Sequence, residues 1–210
     1  MKDLDLFNAT KYAFNNRDEL IQSDICGCYY CINMFPSSEI VEWVWERKSN
    51  LESDQTGVCP YCGIDSIIGS ESGIPICVDI LYTLNRLFFN NQPDFLLFRP
   101  VGPIELKLIE ESGWQRFPPR LPEQPIFYPV LNLEYARQIA KNWNVKQSGS
   151  GYITEFLIDR NYAKRFKVKI VGSMIHQELW IPAEDLDDFN NNIIGKIKLV
   201  ESYSDSDNQT

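Results

Sequence analysis

The sequence has no run of eighteen apolar residues, a single histidine, and fewer cations than anions. Each shortage excludes something. Without a long apolar run no segment can cross a bilayer as a helix, because the hydrocarbon core asks for roughly 20 such residues in a row. The opening stretch MKDLDLFNATKY carries acidic residues and no apolar core, so it does not read as an export signal, and the chain is expected in the cytoplasm. Lys and Arg number 20 against 29 Asp and Glu, a formal charge of −9. That balance argues against a protein whose main work is gripping nucleic acid, since phosphate binding leaves a basic footprint. The lone histidine, His176, reads first as a hydrogen-bonded structural residue rather than a general base. No internal repeat is present, and an apolar share of 44% over 210 residues suits one large folded domain or two small ones.

What the chain does have is six cysteines, four of them in two matched turns, Cys28-Tyr29-Tyr30-Cys31 and Cys59-Pro60-Tyr61-Cys62. A Cys-x-x-Cys turn presents two sulfurs at one edge of a tetrahedron, and two turns complete a closed four-thiolate zinc site. Cys28, Cys31, Cys59 and Cys62 are the expected ligands. Cys26 competes with Cys28, although Cys26-x-x-x-x-Cys31 is a less usual spacing. The rival readings are ordinary buried thiols, a redox pair, or a disulfide framework, the last disfavoured by the missing export signal. Cys77 is expected to be an inert core thiol. Up to Pro93 the only cations are Lys2, Lys11, Arg17, Arg47, Lys48 and Arg86, so a protein partner or a structural role suits this module better than nucleic acid.

In chain order, Asp5 to Ile25 reads as helical, with Tyr12, Phe14 and Leu20 available for burial. Pro36-Ser37-Ser38-Glu39 resembles a helix start, and Ile40, Trp43 and Val44 recur at helical spacing, predicting a helix between the knuckles. Ile64 to Ile68 reads as a strand, and a helix after Pro75 carries Ile80, Leu84 and Leu87 on one stripe. The first domain, residues 1–93, ends at Asn90-Asn91-Gln92-Pro93. Phe95 to Arg99 then reads as a strand, and Pro103 opens a helix that Gly113 ends. The proline-rich run from Trp114 to Pro125 is too long and stiff to be a mere connector. A strand from Ile126, a helix capped by Asn132 with Leu133, Ala136, Ile139, Ala140 and Trp143 inward, and a mobile turn at Gly149 and Gly151 follow. Strands at Tyr152–Asp159, Lys167–Gly172, Ile175–Ile181 and Lys196–Tyr203, with a helix near Ala183–Asn192, complete an α+β domain over 94–203. Residues 204–210 read as a disordered tail.

The first half resembles a family of small bacterial zinc-binding proteins known only as cytoplasmic proteins. The match runs through Cys26-Gly27-Cys28-Tyr29-Tyr30-Cys31, Ile40-Val41-Glu42-Trp43 and Cys59-Pro60-Tyr61-Cys62-Gly63-Ile64-Asp65-Ser66-Ile67-Ile68-Gly69, and the label implies no activity. Residues 95–203 resemble bacterial proteins of an ADP-ribosylation/crystallin-like family. Arg99-Pro100-Val101-Gly102-Pro103, Ser112-Gly113-Trp114, the run Phe117 to Pro125, and Glu178-Leu179-Trp180-Ile181-Pro182-Ala183-Glu184 carry that match. The element order is similar to the ADP-ribosyltransferase fold, so the expected class is a small zinc-ribbon-like module followed by an α+β ADP-ribosyltransferase-like domain.

The resemblance implies NAD as a cofactor and assigns roles. Cleaving the nicotinamide–ribose bond builds positive charge on the ribose, which requires a cation for the pyrophosphate, an aromatic wall and a carboxylate. Arg99, then Tyr128 or Tyr152, then Glu178 fill those positions. On the strand through Glu178, His176, Glu178 and Trp180 share one face, expected to line a cleft, and Gln177, Leu179 and Ile181 share the core face. Arg116 and Arg120 are candidate phosphate clamps. The Ser-Thr-Ser run of arginine-modifying toxins is replaced by Tyr128-Pro129-Val130, and His176 stands where they carry a second glutamate. The alternative is therefore a non-catalytic, acidic protein-interaction or immunity-type adaptor with a vestigial pocket.

Overall fold

A computed structural model describes residues 2–45, 51–89 and 94–204. The expected boundary at Asn90–Pro93 and residues 205–210 of the expected tail lie outside the described residues, while Ser204, expected to open that tail, instead ends the last strand. The chain divides into two compact units, Leu4–Asn91 and Met1–Asp3 with Gln92–Thr210. Strand β1 (Lys2–Leu4) opens the chain and joins the second unit's sheet, so the first unit does not begin at residue 1. No helix among the described residues is long and apolar enough to cross a membrane.

The first unit is built from short pieces. A 3-10 stretch (Leu6–Ala13) leads to α1 (Arg17–Gln22), β2 (Cys26–Cys28), β3 (Met34–Phe35), β4 (Trp43–Trp45), β5 (Gln55–Gly57), β6 (Ile67–Gly69) and α2 (Val78–Phe88). The strands form two small antiparallel sheets, β3-β2-β6 and β4-β5. Leu20 is buried but Phe14 is exposed, because the 3-10 stretch turns Leu6, Phe7, Ala9 and Ala13 inward instead. Asn16 ties the pieces together: its side-chain amide donates to Tyr12 O (3.1 Å) and Ile67 O (2.9 Å), and its carbonyl accepts from Gly57 N–H (3.0 Å).

The helix expected between the knuckles does not form. Ser37–Glu39 makes one 3-10 turn, and Trp43–Trp45 is a strand. Trp-Val-Trp favours a pleated, half-buried surface over a helix, and Gln55–Gly57 supplies the pairing partner. Ile40 and Trp43 still pack against the cysteines, as the apolar pattern required.

The second unit carries β7 (Asp94–Val101), α3 (Pro103–Glu111), β8 (Ile126–Phe127), α4 (Leu133–Ile139), a π segment (Ala140–Asn144), α5 (Val145–Ser148), β9 (Ser150–Asp159), α6 (Arg160–Ala163), β10 (Val168–Ile170), β11 (Gln177–Leu179), β12 (Ile181–Pro182), α7 (Leu186–Asn191) and β13 (Ile193–Ser204). Its sheet runs β13-β9-β7, continues through Val130, which bridges Phe98 to Glu178, and ends β11-β10-β1. Helices and strands are mixed throughout. One side of the sheet meets an aromatic core in which Phe117 lies 4.8 Å from Phe127 and 4.9 Å from Phe156. Phe117 comes from the proline-rich loop, which Asn190 clasps by accepting from Phe117 N–H (2.9 Å) and donating to its carbonyl (3.0 Å).

Asn132 caps α4 as expected, accepting from Tyr135 N–H at 2.8 Å. Trp143, expected inward, is 61% exposed. The π segment explains this, since a wider turn shifts the following side chains out of α-helical phase. Gly151 is not a mobile turn but a close approach within β9: a Cβ there would sit 2.4 Å from the Ala140 carbonyl oxygen. Gly151→Ala is expected to destabilise the protein by about 1–3 kcal/mol, the usual cost of overpacking, read as a lower denaturation midpoint in urea.

Candidate metal centre

The two Cys-x-x-Cys turns fold alike. In the first, Cys28 N–H donates to Asn33 O (2.9 Å) and Ile32 N–H donates to Cys28 O (2.8 Å). In the second, Cys59 N–H donates to Ile64 O (3.0 Å) and Gly63 N–H donates to Cys59 O (2.9 Å). Pairing of β2 with β6 anchors the first turn, with Cys28 opposite Ile67. Leu20, Phe35, Ile40 and Ile67 wall the site in apolar surface.

All four sulfurs lie within 4.8 Å of one another. Cys28 Sγ is 3.7 Å from Cys62 Sγ, and Cys31 Sγ is 3.7 Å from Cys59 Sγ. Zinc–sulfur bonds of about 2.3 Å in a tetrahedron set a sulfur–sulfur edge of roughly 3.8 Å. The spacing and the all-thiolate donor set therefore fit zinc, with Cys28, Cys31, Cys59 and Cys62 as the residues that would hold it. The Asn33 side-chain amide reaches Cys31 Sγ at 3.3 Å, a donor to a ligand that sequence reasoning missed.

The thiols differ electrostatically. Burial pushes Cys28 well above the usual thiol range, and pushes Cys62 up to about 11 against the opposing pull of the Ile64 backbone N–H. Burial also raises Cys31, but hydrogen bonds from the Asn33 side chain and backbone, and from the neighbouring thiols, more than offset it and bring it down to about 7. Cys26 is a core thiol outside the cluster, raised to about 11 by burial and then by Glu19. Cys77, expected in the core, is half-buried at the N-cap of α2.

The second unit does not assemble the other expected residues as an open cleft. Arg99, only 4% exposed, is gripped by Glu105, with Nε and Nη2 donating to its two oxygens at 3.0 and 3.1 Å. Its guanidinium lies 4.7 Å from the Tyr128 ring centre and 5.1 Å from that of Phe127. Burial lowers the Arg99 pKa, but Glu105 more than offsets it and holds the group above its ordinary value. Arg120 donates to Ile126 O (3.1 Å) and Gln124 Oε1 (3.0 Å), and Arg116 to Asn191 (2.9 Å) and Asp187 (2.9 Å), so both fasten the loop to its surroundings. Tyr152 sits in β9 opposite Val101, half-buried.

Glu178, expected on a cleft wall, is 6% exposed, and Gln177 and Leu179 beside it are buried too. Tyr135 Oη donates to one carboxylate oxygen at 2.7 Å and Trp180 Nε1 to the other at 2.6 Å. The reason is the register: opposed residues point to one face, so the Phe98–Val130–Glu178 bridges put Glu178 on the Phe98 side, under α4. Arg99, one residue on, points to the other face. His176 stacks on Tyr135 at 4.4 Å, meets Gln138 Oε1 through Nε2 at 2.9 Å and accepts from Ser173 N–H at 3.2 Å, as a structural histidine would. Sequence reasoning missed Glu105 and Tyr135. Each occupies the first turn of its helix, where a cap or dipole role reads more naturally than a partner for a distant charge.

The chain matches no family model, no curated protein and no solved structure.

Elemental analysis of the purified chain is expected to find one zinc ion per molecule, retained in Cys26→Ser and Cys77→Ser and lost in Cys31→Ser and Cys62→Ser. Loss of metal from Cys26→Ser with retention in Cys62→Ser would reassign the ligands.

Proposed function

We propose that this is a zinc-binding protein that docks a basic protein partner on its metal-bearing unit and performs no chemistry of its own. The observation that carries the reading is the convergence of four thiols, all within 4.8 Å of one another, in that unit. The chemistry of the partner follows from charge. Residues 4–91 hold twelve carboxylates and five cations, a net −7, while the remaining residues hold seventeen and fifteen, a net −2. A divalent ion on four thiolates adds two further negative charges to the same unit. Fields of this kind steer an oppositely charged partner and set its salt dependence.

NAD-dependent ADP-ribosyl transfer through Arg99 and Glu178 is the competing reading. It would require Arg99 to leave Glu105, Glu178 to lose the donors Tyr135 and Trp180, and two opposed sheet faces to serve one ligand. A non-catalytic role needs none of these rearrangements.

Two assays separate the readings. The zinc-loaded chain is expected to bind a Lys- and Arg-rich peptide, not its Glu-rich counterpart, and to lose about tenfold or more in affinity between roughly 50 and 200 mM salt. It is expected to release no nicotinamide from NAD. Nicotinamide release abolished by Glu178→Gln, or indifference to peptide charge, would reverse the assignment.

A further inference from the structure

We infer that the two halves of the metal site are unequal: the first turn, Cys28–Cys31, opens to admit and release the ion, and Ile32 is the positioning residue that sets how readily it does so. This rests on the zinc reading. Both turns need the residue after their second cysteine in the left-handed region, where its N–H can reach back to the first cysteine's carbonyl. Gly63 takes that conformation at φ 73° and Ile32 at φ 66°. Glycine adopts it freely, and a Cβ at Gly63 would meet nothing within 4 Å, so that position is decided by backbone preference alone. For a β-branched residue the same conformation is an outlier. Ile32 therefore works against its own turn. Metal bonds at Cys28 and Cys31 hold the turn closed, and once they break Ile32 relaxes towards negative φ and breaks its hydrogen bond to Cys28 O.

The second turn has no such drive. It is braced from outside as well, with the Tyr61 ring 5.6 Å from Phe35 and the Tyr61 hydroxyl donating to Glu39 at 2.9 Å. The first turn is instead tied to the end of α2. The Tyr29 and Tyr30 rings lie 5.8 Å from Phe88 and 4.8 Å from Phe89, and Asn85 Nδ2 donates to Tyr30 O at 2.8 Å. Opening this turn also releases the last turn of that helix.

The test uses the full chain loaded with cobalt(II), whose thiolate absorption reports sulfur coordination, and follows its loss to excess chelator. Ile32→Gly is expected to slow the loss roughly 5- to 30-fold, the size of one left-handed L-residue penalty expressed as a rate. Ile32→Asn is expected to slow it less, Ile32→Val to leave it unchanged, and Gly63→Ala to speed it. If Ile32 served by packing, Ile32→Gly and Ile32→Asn would lose metal faster than the wild type, which would overturn the inference. Hydrogen exchange supplies a readout independent of the variants: as metal leaves, the amides of Ile32 and Phe89 are expected to lose protection before that of Gly63. The reverse order would also overturn it. A wild-type chain that never develops thiolate absorption would sink the zinc reading itself, and this inference with it.

Discussion

The convergence of four cysteine sulfurs, all within 4.8 Å of one another, is the constraint around which the first unit is gathered. Its described strands are two or three residues long, its longest described helix has 11 residues, and its 88 residues from Leu4 to Asn91 give it little interior to share. Burial in a unit of that size leaves a narrow margin. Structural zinc in small fingers contributes apparent binding energies of about 10–16 kcal/mol near neutral pH, enough to decide whether such a unit folds. The ion would join β2, β3 and β6 at one turn to the segment after β5 at the other. Asn16 does by hydrogen bonds what an ion would do by coordination, holding together pieces too short to satisfy one another.

The second unit rests on different physics. A sheet continued through the Val130 bridges, an aromatic core and a clasped loop give it an interior without metal. Among the described residues it buries two charged side chains, Arg99 and Glu178, and both are spent inside the fold. Arg99 and Glu105 form a two-bonded pair beside the Tyr128 ring, and Glu178 accepts from both a phenol and an indole. Burying a charge is costly unless its hydrogen-bonding capacity is met, and here it is met by neighbours. The same residue types that suggest a ligand site in one dimension serve in three as internal ties.

What could be read from the chain follows from how local the cause is. The clustering of Cys28, Cys31, Cys59 and Cys62 was legible because the turn needs only four residues and its geometry is fixed by two of them. The helix starting at Pro103, the Asn132 cap and the long strands β7 and β9 were legible for the same reason. The helix expected at 37–44 failed because Trp43–Trp45 obeys a pairing with residues a dozen positions away. Trp143 turned outward because one wide turn upset a period that was otherwise correct. Glu178 was misjudged because alternation along a strand says which side chains share a face, not whether α4 covers it. The left-handed Ile32 was visible only by its contrast with Gly63: the second turn announces its glycine, and the first hides the same requirement under an isoleucine.

X-ray absorption at the zinc edge of the loaded protein is the sharpest probe of a four-thiolate site. Four sulfur neighbours at about 2.3 Å, with no nitrogen or oxygen among them, are predicted. Fewer than four sulfurs, a mixed coordination, or a purified chain that takes up no zinc would contradict it.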